Sequence, residues 1–110
     1  LNIGPGAKRQ AFSFGMLLLM GMNNFHIKVY GDVQGVFYRD SAGKKAEELD
    51  IKGFARNEAD GSVYIEAEGE KENLEKFLKW CEEGSKYASV REVEVEEGEM
   101  KNYNKFEIRY

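Results

Sequence analysis

The order in which hydrophobic periodicity changes along this chain limits its fold more than any other feature. Phe25-His26-Ile27-Lys28-Val29-Tyr30 alternates apolar and polar side chains, which predicts a strand over Phe25–Gly31. Ala42, Ala46 and Leu49 recur at helical spacing and predict a helix over Ser41–Leu49, with Asp40 or Ser41 as its cap. A second strand is expected at Lys52–Glu58, and Asp60-Gly61 suits a tight hairpin turn. The third, Ser62–Glu68, sends Val63, Ile65 and Ala67 one way and Tyr64, Glu66 and Glu68 the other. Leu74, Phe77, Leu78 and Cys81 form the buried stripe of a helix over Lys71–Glu83, which Gly84 ends. Ser89–Glu97 and Lys105–Tyr110 complete the series as strands, with a change of parity after Arg91 that points to a bulge or a late strand start. The order β-α-β-β-α-β plus a short fifth strand predicts an α+β, ferredoxin-like split βαβ fold, with two helices on one face of an antiparallel sheet.

Residues 1–22 differ from the rest. They hold no acidic residue, the only proline (Pro5) and the run Met16-Leu17-Leu18-Leu19-Met20. That run is too short to span a bilayer, and no small-x-small cleavage pattern follows it, which disfavours a signal peptide. Residues 1–22 are expected to be a disordered leader or an extension acquired in cloning, and residues 23–110 the folded domain.

The whole chain carries 16 Lys+Arg against 20 Asp+Glu, and setting aside Lys8 and Arg9 with the leader leaves the domain more acidic still. An acidic domain without a basic run is a poor nucleic-acid binder. Neither a nucleic acid nor a membrane is expected as partner, and a monomer is expected. The single cysteine, Cys81, excludes an internal disulfide; with one histidine as well, no metal site and no cofactor are expected. A reducing, cytoplasmic location fits this cysteine usage.

Between the first strand and helix lies Gly31-Asp32-Val33-Gln34-Gly35-Val36-Phe37-Tyr38-Arg39. Its two glycines allow backbone N–H groups to turn toward one point, beside a helix N-terminus and a guanidinium. Such convergence makes an anion site, most naturally for phosphate. The spacing matches neither the Walker A loop nor the dinucleotide fingerprint. An ordinary strand-to-helix loop with a solvated arginine also fits the segment.

The second strand ends as Gly53-Phe54-Ala55-Arg56-Asn57-Glu58-Ala59-Asp60-Gly61. In a split βαβ arrangement the first two strands run parallel, so Asn57 emerges at the same end of the sheet as the glycine loop. Its carboxamide offers an acceptor and a donor and can hold a water by two contacts. Taken without the loop, Asn57 reads better as the residue that starts the turn. Alternation turns Arg56 to the opposite face, toward surface pairing. His26 reads as structural or solvated, and Cys81 as a core residue.

Taken together, Gly31-x-Val33-Gln34-Gly35-Val36-x-Tyr38-Arg39 and Gly53-Phe54-Ala55-Arg56-Asn57-x-x-Asp60-Gly61-Ser62-Val63 closely resemble the two signatures of the acylphosphatase family. The likeness runs from about Asn24 to Tyr110, with further matches at Gly69, Phe77, Trp80-Cys81, Gly84, Val90 and Phe106. Tyr38 stands where the family usually has Phe, Ser85 where Pro usually follows the glycine, and Ala42 where a hydroxyl is often found. The resemblance implies metal-independent hydrolysis of the carboxyl-phosphate bond of acyl phosphates to a carboxylate and inorganic phosphate, which would also act as inhibitor. It implies Arg39 as the phosphate-binding arginine, Asn57 as the water-positioning asparagine, and Asp32, Val33, Gln34, Gly35 and Val36 as the phosphate loop. A non-catalytic acyl-phosphate or anion-binding module on the same scaffold is the alternative.

Overall fold

The computed structural model describes residues 21–110, so the expectation for the leader lies outside the described residues except at Gly21 and Met22. The elements are β1 (Asn23–Asp32), α1 (Tyr38–Glu48), β2 (Lys52–Asn57), β3 (Val63–Gly69), α2 (Lys71–Glu83), β4 (Ser89–Gly98) and β5 (Phe106–Arg109). They form one five-stranded sheet in the order β4-β1-β3-β2-β5. This is the expected ferredoxin-like arrangement, with one correction. Four strands pair antiparallel, but β5 joins β2 in parallel, from Gly53↔Phe106 to Arg56↔Arg109, and the sheet is mixed. The path of the chain explains it. β4 finishes opposite Asn24 at the start of β1, the end of the sheet where β2 begins, and the short segment 99–105 crosses directly to that end.

Strand alternation divides the sheet into two faces. Phe25, Ile27 and Val29 of β1, Val63, Ile65 and Ala67 of β3, and Val93 and Val95 of β4 face the helices and are buried. α1 covers them with Tyr38, Ala42 and Ala46, and α2 with Leu74, Phe77, Leu78 and Cys81. Each large side chain removed from water in this layer contributes about 1.5–3 kcal/mol before entropy is counted. Cys81 belongs to this layer, as expected, and burial pushes its thiol up to about 12. The Tyr38 hydroxyl donates to the Cys81 carbonyl at 2.8 Å, so its polar atom is satisfied within the core.

The opposite face buries charge instead. Glu66 and Glu68 lie almost wholly out of solvent. The Asn24 amide donates to both, at 2.8 and 2.7 Å, and the backbone N–H groups of Lys101 and Tyr103 donate to Glu68 at 2.6 and 2.9 Å. The Lys101 ammonium pairs with Glu66. Burial pushes the Glu66 carboxyl up, but Lys101, Asn24 and Tyr103 together outweigh it and hold the group below its ordinary value. These contacts fasten segment 99–105 across the sheet on its way to β5.

Two local features, one expected and one not, shape the functional end. The bulge lies where parity changes: Tyr30 faces Glu92 and Gly31 faces Val90, leaving Arg91 extra. Gly31 has φ 136°, and a Cβ there would overlap the Ser89 carbonyl, so the bulge requires glycine. The first helix starts at Tyr38, not Ser41. Its N-cap residue is Phe37, in the left-handed region at φ 62°, and no side chain bonds the first-turn N–H groups. Asp40 is therefore no cap but lies in the first turn, where a carboxylate complements the helix dipole.

Candidate active site

β1 and β2 are both antiparallel to β3, and Val63 faces Val29 on one side and Asn57 on the other. The exits of β1 and β2 are therefore level. β5, parallel to β2 and ending one residue before Tyr110, reaches the same end. A pocket of about 240 Å³ opens there.

Backbone conformation decides what the loop presents. Gly35 has φ 74° and Phe37 φ 62°, while Val36 between them and Tyr38 after them do not take the left-handed sense. Alternation of handedness along successive residues aims consecutive N–H groups at one concavity, which attracts anions. The uncapped first turn of α1 adds its own orphan donors at that point. Only the Gly35 position gains left-handed freedom without steric cost; a Cβ there would meet nothing, but φ itself favours glycine.

Gln34 fixes the loop against the neighbouring hairpin. Its side-chain amide donates to the Glu58 carbonyl at 2.8 Å and the Ser62 carbonyl at 2.9 Å. The hairpin is braced in turn by Asp60. The Ser62 hydroxyl and N–H and the Lys28 ammonium hold its carboxyl well below the usual range. The loop after β1 and the turn after β2 thus form one rigid rim.

Arg39 projects from the first turn of α1, two residues before the expected start of the helix at Ser41. One guanidinium nitrogen donates to the Arg109 carbonyl at 2.6 Å, and the guanidinium carbon lies 4.5 Å from the centre of the Tyr110 ring. Arginine has five N–H donors, so this anchor leaves others for a ligand. Asn57, the last residue of β2, shares its strand face with Gly53 and Ala55 and is exposed at the pocket. Arg56 takes the other face, paired with Glu58 at 3.0 Å and lying over Tyr64, as alternation required.

Of the residues singled out in the sequence, Arg39, Asn57, Val33 and Gly35 line the pocket together. Asp32, Gln34 and Val36 do not. Asp32 pairs with Ser89 at the end of β1, Gln34 turns to the hairpin, and Val36 packs on the core. Phe37, Tyr38, Asp40 and Tyr110 complete the lining without having been singled out for it. Tyr110 was legible only as the end of the last alternating strand, and a parallel pairing with β2 was needed to place it. Among the described residues no group of His, Cys, Asp or Glu is arranged to hold a metal, and no helix is long and apolar enough to cross a membrane.

This geometry has counterparts among known proteins. The family model described as "Acylphosphatase" matches residues 25–108. An acylphosphatase from Archaeoglobus fulgidus is 48% identical over 84 residues, which cover 76% of this chain and 94% of that one. The structure of an acylphosphatase from Coxiella burnetii superposes with a TM-score of 0.80 at 37% identity, covering 83% of this chain and 96% of the other. The crystal structure of acylphosphatase from Bacillus subtilis gives 0.78 at 31% identity, covering 80% and 99%. The chain belongs to the acylphosphatase family and is an acylphosphatase, a hydrolase whose substrate class is acyl phosphates.

Proposed function

We propose that Arg39 and the backbone N–H groups of the loop from Asp32 to Val36, extended into the start of α1, hold the phosphoryl group, and that Asn57 positions the attacking water. The observation that carries this reading is that Arg39, Asn57 and the alternating-handed loop border one open pocket. Within the loop, Val33 and Gly35 border the ligand, Gln34 holds the loop in register, and Asp32 and Val36 anchor its two ends.

An acyl phosphate is a mixed anhydride, and its carboxylate leaves readily. Positioning and charge stabilisation then suffice, without a covalent intermediate. Donors already aimed at the developing charge need no reorganisation as the barrier is crossed. Water held by the Asn57 carboxamide attacks phosphorus opposite the leaving carboxylate. The new P–O bond forms as the bond to the acyl oxygen breaks, and the electron pair leaves with the carboxylate. An amide is too weak a base to keep the water's proton, which passes to a phosphoryl oxygen. The products are a carboxylate and inorganic phosphate, and phosphate competes for the same cradle. The enzyme works as a cytoplasmic monomer.

The test is steady-state hydrolysis of benzoyl phosphate with inorganic phosphate as competitor. Arg39→Ala and Asn57→Ala should each raise the barrier by at least roughly 3 kcal/mol, by analogy with loss of a single preorganised donor. Near-normal turnover by either variant removes its assigned role, and non-competitive behaviour of phosphate removes the shared cradle.

A further inference from the structure

The pocket lining is of two chemical kinds. Arg39, Asn57 and the loop backbone supply the polar part. The same lining carries two aromatic rings that the fold leaves in water: Phe37 is 72% and Tyr110 96% exposed. Four large apolar side chains are exposed among the described residues, and these two both stand on this pocket.

Phe37 is unusual in its backbone as well. A bulky side chain rarely occupies the left-handed region, and its φ of 62° is the conformation Gly or Asn would adopt with less strain. Strain of this kind persists where surrounding structure over-determines it, and it clusters at ligand sites. Here the ring gains no burial to offset it. Tyr110 is placed by the phosphate-binding group itself, because the Arg39 guanidinium lies over its ring. The acyl carbon of a bound substrate is joined to the phosphoryl group through one bridging oxygen, so the acyl group stays within reach of the rings on the same lining.

We propose that Phe37 and Tyr110 are the acyl-binding walls of the site, and that they select acyl phosphates with flat, uncharged, apolar acyl groups over small aliphatic ones. The inference rests on the proposed phosphate cradle. Aromatic faces favour stacked or edge-on contact with another flat group, and covering both rings removes apolar surface from water. Asp40 on the same lining sets an acidic side chain against acyl groups that carry a carboxylate.

The experiment compares kcat/KM for benzoyl phosphate with kcat/KM for acetyl phosphate in the full chain, in Phe37→Asn, in Tyr110→Ala and in the double variant. Asn tolerates the left-handed backbone, so Phe37→Asn removes the ring and keeps the turn. The ratio of the two values cancels any loss common to both substrates, including a loosened Arg39. Benzoyl phosphate should be preferred by the unmodified protein, and each ring removed should lower the ratio by about 3- to 10-fold, read mainly in KM. Equal ratios in all four proteins, with acetyl phosphate still hydrolysed, overturn the acyl walls and leave the phosphate cradle standing. Hydrolysis of neither substrate by the unmodified protein overturns the phosphate cradle and the acyl walls together.

Discussion

The two polar centres of this molecule are built to opposite rules. On the sheet face away from the helices, Glu66 and Glu68 are buried, and Asn24, Lys101 and Tyr103 supply them with donors from inside the protein. At the end of the sheet, Asn57 is exposed, the first turn of α1 has no side-chain cap, and Arg39 commits one nitrogen to the Arg109 carbonyl. Buried carboxylates supplied with donors from inside the protein hold a segment in place, whereas donors aimed at an open pocket are available to a ligand. A carboxylate pair can look catalytic in sequence, and here the pair is structural, while chemistry gathers where the backbone leaves its own donors unmet.

The contrast would break most visibly at Arg39 and Asn57. Their alanine variants should lose at least about 100-fold in kcat/KM and still melt cooperatively, because neither side chain is part of the core. A variant that unfolds instead would make the pocket a structural feature like the glutamate cluster. At the cluster the pattern should reverse. Glu68→Ala leaves the Asn24, Lys101 and Tyr103 donors short of an acceptor, and should lower unfolding free energy by about 2–3 kcal/mol in denaturant titration. Hydrolysis under native conditions should persist; lost activity in a folded variant would couple the two centres.

Gln34→Ala tests the bridge between the regions. Losing two hydrogen bonds to hairpin carbonyls should free the loop, and the inhibition constant for phosphate should rise by about 10-fold, near 1.4 kcal/mol. An unchanged constant would mean that the loop keeps its shape without the hairpin. Acid should separate the centres more gently. Glu66 has its folded value held below the ordinary 4.5, so its stabilisation is complete above that pH and is lost as pH falls through the folded value. Thermal melts should therefore decline below about pH 4.5, and Glu66→Gln should flatten that decline. A decline of equal slope in the variant would assign the acid sensitivity elsewhere. The smallest effect belongs to the core. Cys81 is fully buried with its thiol pushed up to about 12, so a water-soluble thiol reagent at pH 8 should react only after denaturant is added.

Much of this architecture follows from local pattern. Period-two alternation in 25–30 and 63–68 determined which side chains face the helices, because successive strand residues must point oppositely. The stripe Leu74, Phe77, Leu78 and Cys81 likewise determined the inner face of α2. Arg39 and Asn57 were legible as a pair through the resemblance of their two motifs to the acylphosphatase signatures; the glycine loop and the strand end taken separately also fitted an ordinary loop and a turn. What sequence could not carry was any consequence of long-range pairing. The left-handed backbone of Phe37 ends the loop that Gln34 ties to the hairpin, and α1 starts directly after it at Tyr38. The parallel entry of β5 follows the crossing of segment 99–105 to the end of the sheet where β2 begins, and that entry brings Arg109 and Tyr110 to the pocket. Local propensities act over a turn or two of chain. The partners that closed this site come from residues 24 to 70 positions apart, and only the folded chain makes them neighbours.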